Sequence, residues 1–140
     1  TMVAEFELWC SEQVQPGLPL TAESLCQKYG DLNREYYGED IVPDPEIALE
    51  WARIPHFYMN FYVYQYATGF SAAIALSQRI LKEGTPAVQD YLRFLSGGCS
   101  TDPVSLLRGA GVDMGSPAPV QEALRLFDDL IGQMESLMEN

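Results

Sequence analysis

The residues best equipped for chemistry lie in one run, Pro55-His56-Phe57-Tyr58-Met59-Asn60-Phe61-Tyr62-Val63-Tyr64-Gln65-Tyr66. It holds the chain's single histidine and six aromatic side chains within ten positions. Four phenols and an imidazole can all donate hydrogen bonds at neutral pH. Set in a charge-free stretch, they suit the stabilisation of a developing oxyanion, because pre-placed donors in a dry site are worth far more than donors in water. They equally suit gripping the carbonyls of an extended peptide. The plainer reading is an aromatic core helix whose hydroxyls find backbone or water partners. On one continuous helix Tyr58, Tyr62 and Tyr66 would share a face, while Tyr64 would point elsewhere with Phe61, Thr68 and Ser71. At least one hydroxyl then meets surroundings different from the others.

Other chemistry is excluded more firmly. No G-x-x-x-x-G-K-[ST], G-x-G-x-x-G or G-x-S-x-G motif is present. One histidine rules out H-E-x-x-H within the chain, so its own residues cannot assemble a catalytic zinc site of three ligands that include histidines. Cys10, Cys26 and Cys99 are odd in number and widely spaced. They form neither a disulfide framework nor a zinc pair, and with no signal-peptide pattern they point to a reducing, cytoplasmic setting. Twenty acidic against eight basic residues give a net charge of −12. Binding to a nucleic-acid backbone by counterion release is therefore excluded, and an anionic membrane would repel the chain.

Helical periodicity supplies the elements that must position the aromatic run. Residues 2–15 place Val3, Phe6, Leu8, Cys10 and Val14 among glutamates, and Pro16-Gly17 ends the run. Thr21 reads as an N-cap, with Ser24 where a capping box prefers Glu or Gln. Leu25, Tyr29, Leu32 and Tyr36 then recur at helical spacing until Gly38. Asp44 and Pro45 open a short helix that runs to about Ala52.

From Ile54 to Gln78, between Arg53 and Arg79, there is no formal charge. The length suits a membrane span, but Asn60, Gln65, Thr68, Ser71 and the tyrosines would carry polar groups into hydrocarbon. A helix without a charged face is instead expected at the centre of a bundle. Further helices follow after Gly84-Thr85-Pro86, with Val88, Tyr91, Leu92 and Leu95 on the inner face; from Thr101 or Asp102 with Pro103 to Arg108; and from Ser116-Pro117 onward, with Val120, Leu124, Phe127, Leu130 (or Ile131), Met134 and Leu137 on one stripe. No segment alternates with period two, so strands are not expected. The fold class is all-α: six or seven helices in a bundle around a central uncharged helix.

The run Ala48-Leu49-Glu50-Trp51-Ala52-Arg53-Ile54-Pro55-His56-Phe57-Tyr58, continued by Asn60 through Gly69, resembles the C-terminal region of oligoendopeptidase F. That family is grouped with the thimet-oligopeptidase-like zinc metallopeptidases. The likeness extends to Met2 through Glu7, Pro19 through Leu25, Tyr36-Tyr37-Gly38, and Leu107 with Ala110 through Met114.

The resemblance implies that residues 1–140 form a single helical segment of a larger helical peptidase fold, whose deep channel admits short peptides. It implies zinc in the parent enzyme, held by H-E-x-x-H and a further glutamate upstream of Thr1, and no zinc on this chain alone. It also implies roles for this chain's own residues. His56 matches a catalytic histidine that binds the substrate carbonyl and helps hold the oxyanion. Tyr64 is the first choice for the main oxyanion donor and Tyr58 the second, both also binding substrate, while Tyr62 and Tyr66 are as readily packing residues. The expected function is that of a C-terminal piece of a zinc metallo-oligopeptidase, inactive by itself and prone to self-association through the apolar channel wall. The alternative is a non-catalytic helical module that binds peptides or a partner protein.

Overall fold

The computed structural model describes residues 1–139. Among the described residues there are six α-helices, two 3-10 helices and no strand. The chain divides into two compact units, Thr1–Gln65 and the remainder from Tyr66 onward.

In the first unit, helix α1 (Met2–Val14) and helix α2 (Ala22–Tyr37) are followed by two 3-10 helices, Pro45–Arg53 and Pro55–Met59. The α2 start is closed by a reciprocal pair: the Ser24 N–H donates to the Thr21 hydroxyl oxygen at 3.1 Å, and the Thr21 N–H donates to the Ser24 hydroxyl oxygen at 3.1 Å. Serine thus completes the capping box in place of the longer Glu. Gly38 ends α2 at a φ of 78°, a left-handed value that costs glycine nothing. Asp44 caps the first 3-10 helix by accepting the Glu46 N–H, with Pro45 in its first turn. The expected short helix is there, wound more tightly than an α-helix.

Phe6, Tyr29 and Leu32 are fully buried and form the heart of this unit. The Phe6 ring meets Tyr29 edge-on at 5.1 Å and leans on Phe57 at 5.3 Å, so α1, α2 and the second 3-10 helix share one anchor. The Tyr29 hydroxyl donates to the Glu50 carboxylate at 3.0 Å. Burial, then that hydrogen bond, pushes the Tyr29 phenol far above its ordinary pKa, so it stays a neutral donor.

One expectation is corrected here. The uncharged stretch 54–78 is not one helix: it is the 3-10 helix Pro55–Met59, a turn, and then helix α3 (Tyr64–Glu83). Asn60 and Phe61 stand at φ values of 47° and 59°. Two successive left-handed residues break the right-handed hydrogen-bond ladder, so Tyr58, Tyr62 and Tyr66 do not share one helical face. No helix among the described residues is long and apolar enough to cross a membrane.

The second unit contains the rest of α3 with helices α4 (Thr85–Ser96), α5 (Pro103–Gly109) and α6 (Ala118–Met138). Ala72, Ala75 and Leu76 of α3 pack with Ala110 and Val112, and Tyr91, Phe94, Leu107 and Met114 close around them. The Arg79 guanidinium ties this core together by donating to Glu83 (3.0 Å), Asp90 (2.8 Å) and the Ala110 carbonyl. Gly111 sits at a φ of 82°, and a Cβ there would run into the Arg79 guanidinium. We expect Gly111→Ala to cost about 1–3 kcal/mol from the backbone alone, read as a lower denaturation midpoint, with further loss from the displaced arginine. On α6 the apolar stripe has the expected spacing, yet Leu124, Phe127, Met134 and Leu137 are all exposed.

Candidate functional site

The site is built from the second 3-10 helix and the turn after it, all within the first unit. Pro55 opens the 3-10 helix, its missing N–H harmless at a helix start, and His56 follows half-buried. The left-handed pair Asn60–Phe61 folds the chain back, so that the Tyr62 ring lies over the His56 imidazole at 5.5 Å and 16° between planes. Residues six apart do not meet on a regular helix, so this stack depends on the turn. Tyr64 follows as the first residue of α3, 48% exposed, while Tyr58 is 85% exposed. Tyr66 lies in the second unit and is also exposed. The structure therefore joins His56 to Tyr62, sets Tyr64 two residues further on at a helix start, and leaves Tyr58 open to solvent.

The turn is held by a residue that sequence reasoning passed over. The Phe61 N–H donates to the Glu7 carboxylate of α1 at 2.9 Å, and Glu7 is only 9% exposed. A bond to an ionised acceptor is stronger than a neutral one, as fits a pin on strained backbone. Asn60 carried a signal, since Asn tolerates left-handed backbone better than most residues. Nothing in the sequence pairs Glu7 with it.

Beside the turn runs a groove of about 460 Å³ lined by Phe6, Cys10, Leu25, Trp51, Phe57 and Phe61. The Trp51 indole N–H is buried with no acceptor among the described residues. Burial, then the charge of Glu7, raises the Cys10 thiol above its ordinary pKa, the direction that disfavours the nucleophilic thiolate. Among the described residues no three His, Cys, Asp or Glu side chains are placed to hold a metal ion together.

Comparison with known proteins decides the family. The model for "Peptidase family M3" matches residues 1–126. The chain belongs to peptidase family M3. Within that family it is 54% identical over 138 residues to oligopeptidase PepF of Bacillus subtilis, a match covering 99% of this chain and 21% of that protein. It is 44% identical over 136 residues to the plasmid oligoendopeptidase F of Lactococcus lactis subsp. cremoris, covering 97% of this chain and 23% of that one. The crystal structure of oligoendopeptidase-F from Enterococcus faecium superposes with a TM-score of 0.89 at 44% identity, covering 98% of this chain and 26% of the other. The chain thus spans about a quarter, or slightly less, of the length of its M3 relatives. The all-α architecture and the resemblance to oligoendopeptidase F, both read from sequence, hold.

Proposed function

We propose that this M3 chain forms one wall of the peptide-binding channel of a metallo-oligopeptidase that hydrolyses peptide bonds in short peptides. The observation that carries the reading is the donor cluster itself: a His56 imidazole stacked on Tyr62, with the half-exposed Tyr64 at the following helix start. The stretch between Arg53 and Arg79 that carries these donors has no charged residue. When a peptide carbonyl becomes tetrahedral, its oxygen gains negative charge, and a donor aimed at that oxygen binds the transition state better than the ground state. In this reading Tyr64 donates its O–H to that oxygen. His56 binds the substrate carbonyl from the same side, with Tyr62 fixing the plane of its ring. Tyr58, the most exposed of the four, binds peptide backbone further along.

These residues do not fit a zinc centre, because one histidine without clustered carboxylates cannot replace a three-ligand site. Zinc and the base that activates water are assigned in this reading to the remainder of the full-length enzyme. The isolated chain then holds no zinc at a defined site and cuts no peptide. Its exposed Phe127, Leu124 and Leu137 would favour self-association of the isolated chain. A cytoplasmic setting goes with the three free cysteines.

The test is His56→Ala in the full-length enzyme, assayed on a quenched-fluorescent peptide. Loss of one substrate-binding donor should lower kcat/KM by about a hundredfold, with the thermal midpoint little changed. An unchanged kcat/KM would remove His56 from the site.

A further inference from the structure

We propose that Glu7, on α1, is a positioning residue for the His56–Tyr64 donor pair, acting through the Phe61 backbone. The proposal rests on the peptidase reading above and adds to it the part that sets the geometry of the site. Asn60 and Phe61 both stand in left-handed backbone, which a bulky aromatic residue rarely adopts. Such a conformation persists only where its surroundings impose it. The Glu7 carboxylate reaches this strained pair and accepts the Phe61 N–H at 2.9 Å from 54 residues earlier in the chain.

Its own position is fixed. Glu7 is buried, and its neighbour Phe6 is 1% exposed and packed on Tyr29, Trp9 and Phe57. Phe57 adjoins His56, so the same helix turn of α1 grips the segment at two points: the Phe6 ring before the turn and the Glu7 carboxylate within it.

The consequence for chemistry is geometric. The strained pair lies between His56 and Tyr64, so its two dihedral pairs set the distance and angle between imidazole and phenol. Release of the Phe61 N–H allows the chain to relax toward right-handed backbone, which swings the start of α3 and undoes the His56–Tyr62 stack. A misplacement of about 1 Å at a catalytic group can cost about a hundredfold in rate. Substrate affinity, spread over many channel contacts, should change far less.

The test uses the full-length enzyme with Glu7→Ala, Glu7→Asp and Glu7→Gln, read by peptide-hydrolysis kinetics and by hydrogen–deuterium exchange of the peptide covering residues 55–64. Aspartate keeps the charge and the burial but is one methylene too short to reach Phe61, so it serves if the alanine variant fails to fold. Alanine and aspartate should each lower kcat by about ten- to a hundredfold with KM within about twofold, and exchange in 55–64 should quicken. Glutamine keeps an oxygen that can accept the bond and should stay within about threefold of wild type. Wild-type kcat in both the alanine and aspartate variants overturns the proposal, as does unchanged exchange, or a glutamine variant as slow as alanine. Tyr64→Phe, run alongside, separates the two ideas. If it is slow while the Glu7 variants are normal, the positioning role falls and the peptidase reading stands; if all are normal, the positioning role falls and Tyr64 loses the oxyanion role to Tyr58.

Discussion

Replacing Tyr64 by phenylalanine in the full-length enzyme is expected to lower kcat by about a hundred- to a thousandfold and to leave KM within about twofold. The hydroxyl meets the substrate oxygen only once that oxygen carries charge, so its loss falls on the transition state and spares ground-state binding. Folding should scarcely respond, because Tyr64 is half exposed and its ring is retained. Tyr62→Phe is the control from the same segment: it removes a hydroxyl and keeps the ring that stacks on His56 at 5.5 Å. It should leave kcat near wild type. A Tyr64→Phe enzyme with full kcat would move the oxyanion role to Tyr58, the most exposed tyrosine of the segment.

Phe6→Ala should be the most destabilising single change in the first unit, at about 3–5 kcal/mol. The ring is 1% exposed and touches Trp9, Tyr29 and Phe57, which come from α1, α2 and the second 3-10 helix. Its removal leaves a cavity that three separate elements would have to collapse to fill. Both tryptophans of the chain, Trp9 and Trp51, pack on this cluster, so urea unfolding followed by their fluorescence reports on it directly. A loss below about 1 kcal/mol would mean that the unit is not organised around Phe6.

The sequence was informative wherever a local rule decides the outcome. Thr21 with Ser24 and Asp44 with Pro45 each cap a helix where their chemistry said they should, and of the two candidates before Pro103 it is Asp102 that caps, accepting the Ser105 N–H at 2.9 Å. Periodicity placed Phe6, Tyr29 and Leu32 inside, while Leu8, Val14, Tyr36, Leu92 and Leu95 from the same kind of stripe are exposed. The failure came at Asn60–Phe61, where no local rule applies. Hydrophobic periodicity in 54–78 reads as one helix, and Phe61 has no intrinsic reason to turn left-handed. The turn is imposed from α1 through Glu7, a contact between residues far apart in sequence. The candidate site divides in the same way. Which donors lie in the segment could be read from residue types, whereas the pairing of His56 with Tyr62 depends on the turn and so needed the structure.

The most direct test of the central claim is a crystal structure of the full-length enzyme with a phosphinic peptide bound, since the tetrahedral phosphinate carries its charge where the cleavage intermediate would. In that complex the Tyr64 hydroxyl should lie within about 2.5–3.0 Å of a phosphinate oxygen, with His56 bonded to the peptide and Phe61 still left-handed against Glu7. A Tyr64 hydroxyl turned to solvent while another donor holds that oxygen would contradict it.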